Sequence, residues 1–126
     1  LLVVEDDSGV RHLTVHHLAA AGYQVLEAGN GVAALALLQS RQEPVHLLLT
    51  DVVMPGMNGA ELAGQARALR PELRVIYMSG YPDDVLSAAG DVSAGHPLIA
   101  KPFDRATLLA AVRKVLAGRG AGSRLQ

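Results

Sequence analysis

Cysteine and tryptophan are absent from this chain, and only 3% of its 126 residues are aromatic. Without cysteine there is no disulfide, no thiolate zinc site and no thiol nucleophile, a usage that fits a reducing, cytoplasmic setting. Half of the residues are hydrophobic, so a core with so few rings must be aliphatic. Neither sign of charge prevails: 11 Lys and Arg stand against 12 Asp and Glu, for a net charge of −1. A nucleic-acid surface would show a basic excess, so nucleic acid is not an expected partner of this segment. No apolar run approaches the ~20 residues of a spanning helix and no signal peptide is visible, so no membrane association is expected. The length is that of one domain.

What is present is a repeated ending. Leu1-Leu2-Val3-Val4 runs into Glu5-Asp6-Asp7, and Leu47-Leu48-Leu49-Thr50 runs into Asp51. Val75-Ile76-Tyr77-Met78 runs into Ser79, and Leu98-Ile99-Ala100 runs into Lys101. If the four runs are parallel strands, these side chains gather at the carboxyl edge of one sheet, where open α/β sheets bind ligands. Carboxylates from Glu5, Asp6 and Asp51 repel one another, and a hard cation such as Mg²⁺, with Mn²⁺ as a substitute, relieves that. Lys101 and the Ser79 hydroxyl suit phosphoryl oxygens. No His or Cys stands at this edge, so Asp51 is itself the candidate acceptor.

Strand-like and helix-like segments alternate along the chain, which predicts βα units on a parallel sheet. Leu1 to Val4 reads as a buried strand. Asp7 or Ser8 caps a helix to about Ala20, with Val10, Leu13, Thr14, Leu18 and Ala21 on its inner face, and Gly22 stops it. Tyr23 to Ala28 alternates more loosely and reads as an edge strand. A helix over Val32–Gln39 and a strand over Val45–Thr50 follow. Asn58 caps a third helix to about Leu69, and Leu73 to Met78 is a strand. Pro82 to Ala89 is a short fourth helix and Gly90 to His96 a loop. Leu98 to Ala100 is the fifth strand, and Asp104 caps a last helix to about Leu116. Residues 1–117 form the domain, and the Gly-rich stretch 118–126 reads as a tail or linker. The chain opens inside its first strand without Met, which reads as a piece excised from a longer protein.

The segments Leu-Val-Val-Glu-Asp-Asp, Thr-Asp-Val-Val-Met-Pro-Gly-Met-Asn-Gly, Tyr-Met-Ser-Gly-Tyr and Lys-Pro-Phe, in this order, resemble a response-regulator receiver domain. The resemblance covers Leu1 to about Leu116. Met78-Ser79-Gly80-Tyr81 with Lys101-Pro102-Phe103 is most similar to receivers of hybrid sensor histidine kinases. The resemblance implies a flavodoxin-like fold: five parallel strands in order 2-1-3-4-5 with five flanking helices. It implies that Asp51 takes a phosphoryl group from a phosphohistidine of a sensor histidine kinase or histidine phosphotransfer protein. Asp6 and Asp51 then bind Mg²⁺, Glu5 assists through water, and the Val53 backbone carbonyl completes the ligands. Ser79 is the switch hydroxyl, Lys101 pairs with Asp51 and then with phosphate, and Lys101–Pro102 is cis. Such a domain is a signalling module rather than an enzyme, although its parent chain could be a hybrid kinase. Output is expected through residues 79–96 and the face of the fourth helix, fifth strand and last helix, which also serves homodimers. The family's usual aromatic, three before the lysine, is Leu98 here, and Tyr81 is the nearest ring.

Other readings compete at single motifs. Gly29-Asn30-Gly31-Val32-Ala33-Ala34 matches the dinucleotide fingerprint, with Asp51 about 20 residues on. A nicotinamide-binding half-domain would leave Glu5, Asp6, Ser79 and Lys101 without a role. An aspartate-nucleophile phosphatase calls for Asp-x-Asp, and the position two after Asp51 is Val53. His12 and His16 are four apart on a helix but lack a third ligand. Asp7 reads as a cap rather than a metal ligand.

Overall fold

A computed structural model describes residues 1–40, 44–80 and 97–124, with side chains as far as residue 117. Five strands form one parallel sheet: β1 (Leu2–Val4), β2 (Leu26–Ala28), β3 (Leu47–Asp51), β4 (Arg74–Ser79) and β5 (Leu98–Ala100). Their order is β2-β1-β3-β4-β5, so β2 is an edge strand, as its loose alternation suggests. Four helices lie among the described residues: α1 (Ser8–Ala20), α2 (Gly31–Ser40), α3 (Gly59–Leu69) and α4 (Arg105–Arg124). The expected fifth helix, Pro82 to Ala89, lies outside the described residues, as does Tyr81.

The strand period of two divides the core into two layers. Leu2, Val4, Leu48, Val75 and Tyr77 face one way and pack against α2 and α3 through Leu38 and Leu62. Val3, Leu49, Ile76, Met78 and Ile99 face the other way, against Leu18 of α1 and Leu108 and Val112 of α4. Each such side chain contributes roughly 1.5–3 kcal/mol on full burial. The aliphatic core therefore fixes the sheet on which the site is built. Among the described residues no helix is long and apolar enough to cross a membrane.

Helix starts follow their caps. Asp7 accepts from the Val10 N–H at 3.1 Å, and Asn58 and Glu61 form a reciprocal capping box. The Thr107 N–H donates to the Asp104 carboxylate at 2.7 Å, which holds that exposed group below its ordinary pKa. Gly22 follows α1 with φ of 102°, a conformation in which glycine bears no Cβ penalty. Several details differ from the expectation: β2 begins at Leu26 rather than Tyr23, and Ala21, expected on the inner face of α1, is exposed. Leu13 is 56% exposed, because the buried stripe of α1 passes through Thr14, Leu18 and the half-buried Val15 instead. The last helix continues from Leu116 to Arg124. No proline stops it there, and a glycine weakens a helix by about 1 kcal/mol without removing its backbone hydrogen bonds.

Candidate functional site

Register brings the site together. Val4 lies opposite Thr50 and Thr50 opposite Tyr77, so the residues just beyond them, Glu5, Asp51 and Met78, stand level at the carboxyl edge. Ser79 ends β4 opposite Ala100, immediately before Lys101. Backbone bonds hold these ends: Glu5 N–H to the Ala28 carbonyl at 3.2 Å, Val52 N–H to Met78 at 2.9 Å, and Lys101 N–H to Ser79 at 2.7 Å. The Lys101–Pro102 peptide is cis. Gly59, at the start of α3, donates to the Val52 carbonyl at 2.8 Å. A Cβ at that position would collide with the Asp51 carbonyl oxygen, so the helix can approach β3 only with glycine there.

Glu5 is fully buried, Asp51 is 6% exposed and Ser79 is 4% exposed, whereas Asp6 is open to solvent. The Lys101 ammonium donates to Glu5 Oε1 at 2.7 Å and to Asp51 Oδ2 at 3.0 Å. One ammonium thus faces three carboxylates, and the negative excess perturbs every group. Asp51 is pushed up to about 7, first by burial and then by the neighbouring Glu5. Asp6 is raised by desolvation and then by Glu5. Burial raises Glu5 too, but hydrogen bonding with Asp51 and Lys101 outweighs it and the net direction is down. Burial alone would lower Lys101. Its two carboxylate partners reverse that and keep it charged.

One oxygen each from Glu5, Asp6 and Asp51 can be chosen so that all lie within 4.8 Å of one another. The donors are carboxylate oxygens, with no sulfur or imidazole among them, and their charge is under-compensated. That donor set fits a hard divalent cation such as Mg²⁺. Among the described residues it is the one group of three or more such side chains. Val53 follows in the loop after Asp51 and is 50% exposed. His12 lies 3.9 Å from Glu27 and joins no metal cluster among the described residues.

The Gly29–Ala34 motif has a packing explanation. Asn30 caps α2, its side chain accepting from the Ala33 N–H at 2.8 Å. A Cβ at Gly31 would stand 2.7 Å from Met57 Sδ, and one at Gly29 3.2 Å from Arg11 Nη1. Both glycines therefore admit neighbouring side chains. Arg11 went unnoticed in the sequence, because an arginine on a helix reads as a solvated charge. Here its side chain is 19% exposed and reaches the loop of Glu5.

Comparison with known proteins agrees with the geometry. The family model for the response regulator receiver domain matches residues 1–113. The response regulator receiver protein CpdR of Brucella abortus is 37% identical over 116 residues, 92% of this chain and 95% of CpdR. The sensor kinase CckA of the same organism is 34% identical over 116 residues, 92% of this chain but only 12% of CckA. Among solved structures, the response regulator TrrA of Thermotoga maritima, in complex with Mg²⁺ and BeF, superposes with a TM-score of 0.77 and 30% identity. That match covers 90% of this chain and 96% of TrrA. With the family's model matched over residues 1–113 and CpdR spanned almost end to end, the chain belongs to the response regulator receiver domains of bacterial two-component signalling.

Proposed function

We propose that this domain takes a phosphoryl group onto Asp51 from the phosphohistidine of a sensor histidine kinase or histidine phosphotransfer protein. The observation that carries this reading is the buried Asp51 carboxylate, held by Lys101 at 3.0 Å beside the Glu5 and Asp6 carboxylates. An Asp51 oxygen bonds to phosphorus as the phosphorus–nitrogen bond of the donor breaks. The bonding pair leaves on the imidazole, and the products are an acyl phosphate and free histidine. Lys101 stays charged, and it exchanges its bond to Asp51 for the arriving phosphoryl oxygens. Ser79, at the end of β4, donates its hydroxyl to another of those oxygens.

Asp6, Asp51 and the Val53 carbonyl would hold Mg²⁺ directly, with Mn²⁺ as a substitute, and Glu5 would assist through water. Bound there, the cation supplies the positive charge that keeps Asp51 ionised and screens the incoming group. Glu5 is the most deeply buried of the three and holds Lys101 more closely, at 2.7 Å against 3.0 Å for Asp51, which favours the indirect role. Phosphorylation is read out through residues 79–96, with Tyr81 responding to Ser79, and through the face of β5, α4 and the helix expected over Pro82 to Ala89. That face also serves a homodimer. Residues 1–117 are the signalling module, the Gly-rich stretch 118–126 is its tail or linker, and the setting is the cytoplasm, where kinase and receiver meet. The module itself turns over no substrate other than its own acyl phosphate.

The test is phosphorylation by acetyl phosphate, followed by intact mass. Wild type gains one phosphoryl group in Mg²⁺ and none in chelator, and Asp51→Asn gains none. Modification of Asp51→Asn at the wild-type rate would refute the assignment.

A further inference from the structure

Arg11, on the second turn of α1, spans two elements. Its Nε donates to Glu27 Oε1 at 3.1 Å, next to the end of β2, and its Nη1 donates to the Glu5 backbone carbonyl at 2.8 Å. The Glu5 N–H is already fixed by the Ala28 carbonyl at 3.2 Å. Both peptide groups flanking Glu5 therefore have a partner, and the second of them is the peptide that leads into Asp6. Arg11 also sits within its own turn, its N–H donating to the Asp7 carbonyl at 2.9 Å. Gly29 leaves the space that the guanidinium fills.

We propose that Arg11 is a positioning residue for the cation site: by holding the Glu5 carbonyl it fixes the plane of the Glu5–Asp6 peptide and so aims the Asp6 carboxylate. The inference rests on the reading of Glu5, Asp6 and Asp51 as a Mg²⁺ site. Asp6 is the exposed member of the trio, without the burial that holds Glu5 and Asp51. Its direction is set by the backbone behind it. A planar fork can bond a carbonyl and a carboxylate at once, which a lysine ammonium on a single flexible stem does less well. Groups that orient metal ligands typically influence affinity by an order of magnitude or more.

Titrate Mg²⁺ into the wild-type chain, Asp6→Ala, Arg11→Gln, Arg11→Lys and Gly29→Ala, and read the Kd by calorimetry. Record circular dichroism and thermal melts in metal-free buffer alongside. Arg11→Gln and Gly29→Ala should each weaken Mg²⁺ binding about tenfold while staying folded. Gly29→Ala keeps Arg11 but presses a methyl group against Nη1, so it decides the matter if Arg11→Gln fails to fold. Arg11→Lys should recover part of the loss. In metal-free protein the Glu5 carbonyl-carbon resonance should move in both weakened variants. A merely structural Arg11 predicts lower melting temperatures with a wild-type Kd, and that result overturns the inference. If Asp6→Ala loses Mg²⁺ while Arg11→Gln and Gly29→Ala keep it, Arg11 alone is refuted. A wild type without Mg²⁺ affinity refutes both readings.

Discussion

Asp51 shares one ammonium with Glu5 in a nearly closed pocket, and the consequence is a pH-dependent stability. A carboxyl raised to about 7 in the folded state binds its proton more tightly there than in the unfolded chain, where roughly 3.9 applies. Its contribution is therefore complete below the unfolded value and is lost as pH rises through about 7. Glu5 is lowered and Lys101 raised, so neither changes charge between pH ~5 and ~8. In metal-free buffer the stability of wild type relative to Asp51→Asn should fall by about 3 kcal/mol across that range, at roughly 1.4 kcal/mol per pKa unit. Mg²⁺ should flatten the slope. Denaturant melts of both proteins check this, and parallel pH profiles would contradict it. At this scale Glu5, Asp51, Ser79 and Lys101 were legible because each ends an apolar run. Arg11 was not, because what it holds at the site is the Glu5 backbone carbonyl, and every residue carries one.

Helices in this domain begin where an oxygen-bearing side chain satisfies their first N–H groups. Asp6 and Asp7 are adjacent and chemically alike, yet α1 gives them different tasks: Asp7 caps the helix and Asp6 joins the acid cluster. Asp7→Ala should cost about 1 kcal/mol of stability. Asp6→Ala should weaken Mg²⁺ binding and leave the cap intact. Melts and Mg²⁺ titrations on the two variants separate the roles, and equal effects on Mg²⁺ would erase the distinction. Caps made the starts of α1, α3 and α4 readable in advance, whereas the Asn30 cap of α2 was not. Faces were harder: Leu13 fits the helical period, but the stripe that meets the sheet lies one residue round, at Thr14, Val15 and Leu18. Periodicity gives the width of an apolar face, whereas the packing angle decides which edge of it is covered. The Gly29–Ala34 motif failed as a nucleotide signature for a related reason. Glycine marks close approach, and here the approaching groups are Arg11 and Met57 rather than a pyrophosphate.

Across the whole molecule, the Lys101–Glu5 bond joins residues 96 apart in sequence. Alternating βα units predict a parallel sheet, but strand order follows from the handedness of crossovers and the packing of both faces, which no single segment encodes. The family resemblance supplied that order, and the sheet has it. Signal output belongs to this scale as well. Beryllofluoride with Mg²⁺ should increase hydrogen-exchange protection in residues 79–96, and Tyr81→Ala should remove that gain while Asp51 still reacts. Unchanged exchange in that segment would place the readout elsewhere. The central claim, that Asp51 is the cation-dependent phosphoacceptor, is tested most directly by locating the acyl phosphate. Borohydride reduces a phosphorylated aspartate to homoserine, which peptide mass mapping then finds. After reaction with acetyl phosphate, homoserine should occur at position 51 when Mg²⁺ is present and nowhere when it is chelated. Homoserine at another carboxylate, or at position 51 regardless of Mg²⁺, would contradict the account.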